Sequence, residues 1–67
     1  MGDAKSSWPE LLGAPSSAAK QKILADRPDV RVIVLLVGSA VTADFDSKRV
    51  RVFVNSYGAV AKVPSIG

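Results

Sequence analysis

Sixty-seven residues carry neither Cys nor His, so no disulfide and no thiolate or imidazole metal ligand staples this fold. Below roughly 70–80 residues a single core is marginal, and stability must come from apolar burial and hydrogen bonding. Nine Lys and Arg against six acids leave a net charge of +3, while 48% apolar residues exclude a disordered polyelectrolyte.

Residues 1–7 are small and polar and are expected to be mobile, ahead of a single domain over 8–67. They hold no apolar stretch of the kind a signal peptide needs, and the absence of Cys suits reducing and oxidising spaces alike, which leaves the compartment open. Gly2 with Ser6 fits only the loose myristoylation pattern, and the apolar run 32–37 is too short to cross a bilayer. No membrane partner is expected.

Trp8 is large enough to anchor a small core. Gly13-Ala14-Pro15 breaks the chain, and a helix is predicted to begin at 15–17, with Ser16 or Ser17 as its cap. Ala19, Ile23 and Leu24 recur at helical spacing, and Pro28 ends the run. Residues 30–37 are β-branched and nearly continuous, which predicts a strand buried on both faces. The stretch 49–54 alternates: Val50, Val52 and Val54 on one face, Arg49, Arg51 and Phe53 on the other. Asn55-Ser56-Tyr57-Gly58 reads as a turn, with a short final strand over 59–63.

The connection 38–48 is the anomaly. Eleven residues without a helix are long for so small a domain, and such loops are functional or disordered. Val41, Ala43 and Phe45 alternate with polar residues there, which favours an extended, ordered and exposed segment. Arg49 and Arg51, on one face of the strand that leaves the loop, are placed to reach back to the acceptors of Thr42 and Asp44 through charge-assisted hydrogen bonds. The alternative is two surface cations on a solvent-facing strand.

Catalysis has little to work with. The commonest triads and thiol mechanisms need His or Cys. Asp44 and Asp46 share one side of an extended stretch, but a working carboxylate pair needs a pocket that separates their pKa values, and the chain is too short to build one. No glycine-rich phosphate loop and no aromatic platform beside a basic groove is present. Only 48–51 clusters positive charge, so a small basic nucleic-acid-binding domain is kept as the alternative reading. No cofactor and no metal is expected.

Five stretches then resemble the potato inhibitor I family of serine protease inhibitors. They are Trp8-Pro9-Glu10-Leu11, Ile23-Leu24-Ala25-Asp26-Arg27-Pro28, Val37-Gly38-Ser39-Ala40-Val41-Thr42, Arg49-Val50-Arg51-Val52-Phe53-Val54 and Val63-Pro64-Ser65-Ile66-Gly67. The match runs in order and at family spacing from about Ser7 to Gly67. The resemblance implies an α+β fold, with one helix on a small mixed sheet whose two long parallel strands are joined by an exposed binding loop. It implies a monomer that inhibits serine proteases in a substrate-like way, in plants as a defence. By this carry-over Ala43–Asp44 is the reactive bond, and Ala40, Val41, Thr42, Phe45 and Asp46 contact the protease. Arg49 and Arg51 fall on the family's loop-bracing arginines, and Gly67 helps fix one of them. Asp46 stands where a barley member carries an Arg, so one brace is missing or replaced. Ala43 sets the expected order of targets: subtilisin-like enzymes first, elastase second, chymotrypsin weakly, and trypsin last because a methyl group leaves its pocket carboxylate unpaired.

Overall fold

Among the described residues a single 3-10 turn (Pro9–Leu11), one α-helix and three strands follow in chain order: α1 (Ser16–Asp26), β1 (Arg31–Leu36), β2 (Arg49–Val54) and β3 (Ser65–Ile66). The structure, a computed structural model, describes residues 5–67. β2 is central. It pairs parallel with β1, Arg31 beside Arg49 through Leu36 beside Val54, and antiparallel with β3. The fold is therefore the expected α+β arrangement with a mixed sheet.

Strict alternation explains why β2 takes the middle. Val50, Val52 and Val54 are buried against α1, whose Ala19 and Ile23 face them, while Arg49, Arg51 and Phe53 occupy the opposite face. Trp8, Leu11, Val30 and Val60 complete the core. Trp8 is fully buried, and its indole N–H donates to Asp26 Oδ2 at 2.9 Å, so the polar edge of the ring is satisfied at the end of α1.

The helix starts without a serine cap. Pro15 occupies the cap position in an extended conformation and makes no side-chain cap bond. It is bridged to Ala59, and the Ser16 N–H donates to the Gly58 carbonyl at 2.9 Å. A neighbouring turn thus takes up one of the free donors at the start of the helix, while the expected serine side-chain cap is absent. At the other end Arg27 N–H donates to Ile23 O at 2.7 Å before Pro28 stops the helix.

Two strand expectations are corrected. The run 30–37 is not buried on both faces: Ile33, Val34, Leu36 and Val37 are exposed, Leu36 at 58%. β1 is an edge strand, and one short helix covers only the Val30–Val32 end of it. The strand expected over 59–63 reduces to single bridges at Ala59 and Val60, and the last strand lies beyond Pro64. There the Asn55 side chain accepts the N–H groups of Tyr57 and Ala59 at 2.9 and 3.1 Å, closing the turn tightly, and pairing ends after Ala61 N–H meets Phe53 O at 2.8 Å. Pro64 is buried, and its carbonyl accepts Trp8 N–H at 2.9 Å.

Of the start expected to be mobile, residues 1–4 lie outside the described residues. Ser7 is bridged to Ser65, and the Ser6 carbonyl accepts Ile66 N–H at 2.9 Å.

Candidate functional site

Neighbouring parallel strands need a crossover, because the chain must return the full length of the first strand before it starts the second. A six-residue strand spans about 17–20 Å, and here no helix covers that distance. The connection from Val37 to Lys48 is therefore stretched by topology. All its residues from 37 to 45 are exposed and none is in regular structure beyond the turn at its root.

Both roots are pinned. At the first, Gly38 adopts φ 88°, a left-handed conformation that suits glycine, and the Leu36 carbonyl accepts from both Ser39 N–H (3.1 Å) and Ser39 Oγ (2.6 Å). At the second, Asp46 Oδ1 accepts Lys48 N–H at 2.9 Å, and Lys48 O accepts Arg31 N–H at 2.7 Å.

Between the roots the two arginines of β2 reach the loop. Arg51 Nη2 donates to Thr42 Oγ1 at 2.9 Å. Arg49 Nη2 donates to the Asp44 carbonyl at 2.5 Å, and its Nη1 lies 3.5 Å from Asp44 Oδ2. Arg49 is the deeper of the two, with its side chain only 10% exposed. Its Nε donates to the main-chain oxygen of Gly67 at 2.7 Å, while Gly67 N–H donates to Arg49 O at 2.9 Å. Among the described residues no buried side-chain polar atom is left without a partner. The Asp44 carboxyl is held below the usual carboxylate range, first by the Thr42 hydroxyl, then by a backbone N–H, with Arg49 adding its charge. Arg51, Thr42, Asp44 and Arg49 thus form a polar bridge under Ala43.

Of the predicted residues, Thr42, Asp44, Arg49, Arg51 and Gly67 are brought together. Phe45 is 72% exposed, with its ring edge near Gly67, and Ala40, Val41 and Ala43 are exposed. Asp46 meets a partner the sequence reading missed: Arg31 Nη2. The signal was the parity of β1, which puts Arg31 on the same face as Arg49 and beside it in register.

The cations that suggested nucleic acid are engaged: Lys48 with Asp29 at 2.8 Å, Arg49 with Asp44, Arg51 with Thr42. The alternative of a nucleic-acid-binding domain has no support. Among the described residues there is no pocket and no group of acids that would hold a metal. The site is a protrusion, an exposed loop held from below by the side chains of β2.

The chain belongs to the Potato inhibitor I family, whose model matches residues 1–67. It is 51% identical over 63 residues to the Glu S.griseus protease inhibitor of Momordica charantia, covering 94% of this chain and 93% of that one. It is 44% identical over 63 residues to subtilisin inhibitor 1 of Phaseolus angularis, covering 94% and 68%. The crystal structure of bitter gourd trypsin inhibitor superposes with a TM-score of 0.93 at 48% identity, covering 97% of this chain and 96% of that one. These relatives are named as inhibitors of different proteases on one scaffold.

Proposed function

We propose that this chain is a substrate-like inhibitor of serine proteases, with Ala43–Asp44 as its reactive bond and a subtilisin-type enzyme as its best target. The observation that carries the reading is that the guanidinium groups of Arg51 and Arg49 land on Thr42 and Asp44, the residues on either side of Ala43.

Residues 40–46 enter the cleft as an extended strand. The protease's serine oxygen adds to the Ala43 carbonyl carbon, and the bond to the Asp44 nitrogen breaks as that nitrogen takes a proton from the protease's histidine. In a flexible peptide the amine then diffuses away and water completes hydrolysis. Here residues 44–67 contain the central strand and stay in the sheet, so the amine remains beside the acyl carbon and the bond reseals. Pre-ordering also favours binding: each side chain that need not be immobilised saves about 0.5–1.5 kcal/mol, and interfaces of about 1,600 Å² between proteases and inhibitors are among the tightest known.

Ala43 orders the targets. Its methyl group suits the pockets of subtilisin and then elastase, leaves a chymotrypsin slot mostly empty, and leaves the trypsin pocket's carboxylate unpaired. The family's relatives, which include a subtilisin inhibitor, support the class of target; the order rests on the chemistry of Ala43. One chain acts per protease.

Incubation with subtilisin followed by mass spectrometry tests the site. A single slow cut between Ala43 and Asp44, with intact and cut forms reaching a steady ratio, is expected. Digestion at several bonds at the rate of an ordinary peptide, or an inhibition panel in which trypsin is the tightest target, would refute the reading.

A further inference from the structure

The leaving side of the loop has an anchor that no arginine of β2 supplies. Asp46 Oδ2 pairs with Arg31 Nη2, from the first residue of β1. Its Oδ1 accepts Lys48 N–H at 2.9 Å, and its carbonyl accepts Arg49 N–H at 3.1 Å. Lys48 extends the connection through Nζ to Asp29 Oδ2 at 2.8 Å, and Asp29 is held in a two-point fork by Arg27 Nε and Nη2, both at 2.9 Å. A run of paired charges therefore links the end of α1 to the loop's exit. Asp46 is its meeting point with β1.

We infer that Arg31, acting through Asp46, is a positioning residue that keeps the amine-bearing side of the reactive bond in place after cleavage and so sets the rate of resealing. The inference rests on the substrate-like reading above. Once the acyl-enzyme forms, the Ala43 side is bonded to the protease, but the Asp44 side is held only by non-covalent contacts. Arg49 grips Asp44 itself. Two residues further on, Asp46 is tied back to the N–H groups of Lys48 and Arg49, and the Arg31 pair fixes its other carboxylate oxygen to β1, which completes a second point. Two fixed points determine the line along which the new amine faces the acyl carbon.

The test compares wild type with Arg31→Ala, Asp46→Asn, which keeps an oxygen for Lys48 N–H, and the exchanged pair Arg31→Asp with Asp46→Arg. Each is incubated with subtilisin, and the purified cut form is followed as it reseals. Both single variants are expected to reseal about two- to five-fold more slowly, the range of an exposed ion pair, with the wild-type melting temperature; unchanged initial affinity is expected of Arg31→Ala, whose residue lies outside the loop that enters the cleft. The exchanged pair restores the charges but not the oxygen facing Lys48 N–H, and should recover part of the rate. In 1 M salt, where the screening length is about 3 Å, wild type should approach the single variants. Resealing at the wild-type rate in either single variant, an exchanged pair as slow as the singles, or a melting temperature that falls in step with resealing would overturn the role of Arg31. If wild type itself is not cut at Ala43–Asp44, the substrate-like reading fails and this inference with it; if wild type is cut there and reseals while the variants match it, only the inference fails.

Discussion

Arg49→Ala removes the most connected side chain of the site, and its effect can be worked from the contacts it makes. Two short bonds are lost, Nε to Gly67 O at 2.7 Å and Nη2 to Asp44 O at 2.5 Å. Each has a charged donor, for which about 1.5–3 kcal/mol is typical. The 3.5 Å contact with the Asp44 carboxylate adds little, because that carboxylate is 63% exposed. Water can reach both oxygens once the side chain is gone, which brings each bond to the bottom of that range or just below it, about 1–2 kcal/mol, or about 2–4 kcal/mol in all. Gly67 is tied to β2, and the share lost there, about 1–2 kcal/mol, lowers the melting temperature by roughly 4–16 °C for a domain of this size. The share lost at Asp44, again about 1–2 kcal/mol, accelerates cleavage after Ala43 by about 5- to 30-fold. Calorimetry and timed digestion with subtilisin measure the two parts separately. Arg49→Lys should recover less than half, since a point charge cannot fork between Gly67 and Asp44. An alanine variant that melts with wild type and is cut at the wild-type rate would show that other contacts hold the loop.

Ala43→Lys should raise trypsin affinity by several kcal/mol, about 100-fold or more, as an ion pair forms in the enzyme's pocket; an unchanged inhibition constant would mean that residue 43 does not enter it. Ile23→Ala, at a fully buried position, should cost about 2–5 kcal/mol in urea denaturation and leave the cleavage site unchanged. Acid should weaken the fold in a defined direction. Glu10, Asp26, Asp29 and Asp44 are all held below their ordinary values of 4.5 and 3.8, chiefly by Lys5, the Trp8 indole, Arg27 and the Thr42 hydroxyl respectively. The native state then binds fewer protons than the unfolded chain, so their contribution is complete above the ordinary values and is lost as pH falls below them. Melting temperature should be flat above about pH 5 and fall below about pH 4, less steeply in high salt; a rise on acidification would contradict these pairings.

β2 was legible in full, because strict alternation with valine on one side and arginine on the other leaves a single way to seat the strand. The same parity put Arg49 and Arg51 on one face, though it left open whether they reached the loop or only solvent; they reach Asp44 and Thr42. β1 misled for a physical reason. A continuous apolar run has no alternation, and period alone cannot distinguish a strand covered on two sides from an edge strand whose helix is too short to cover it. The last strand was displaced because Asn55 and Gly58 close the turn early and Pro64 interrupts the ladder, both of which depend on contacts with distant residues. Arg31 escaped notice for a related reason: its partner lies fifteen positions away, and only the strand register brings them together.

Along residues 40–45 the loop alternates two duties. Thr42 and Asp44 are occupied from beneath by β2, whereas Val41 and Ala43 make no side-chain bond to the body of the protein. Shape and recognition are thus written in interleaved positions of one short stretch. If the loop is read in a substrate-like way, rewriting the idle positions should re-aim the molecule at another enzyme with little effect on the scaffold, while rewriting the occupied ones should slacken it whatever the enzyme. On that reading, the cost of changing allegiance is one side chain.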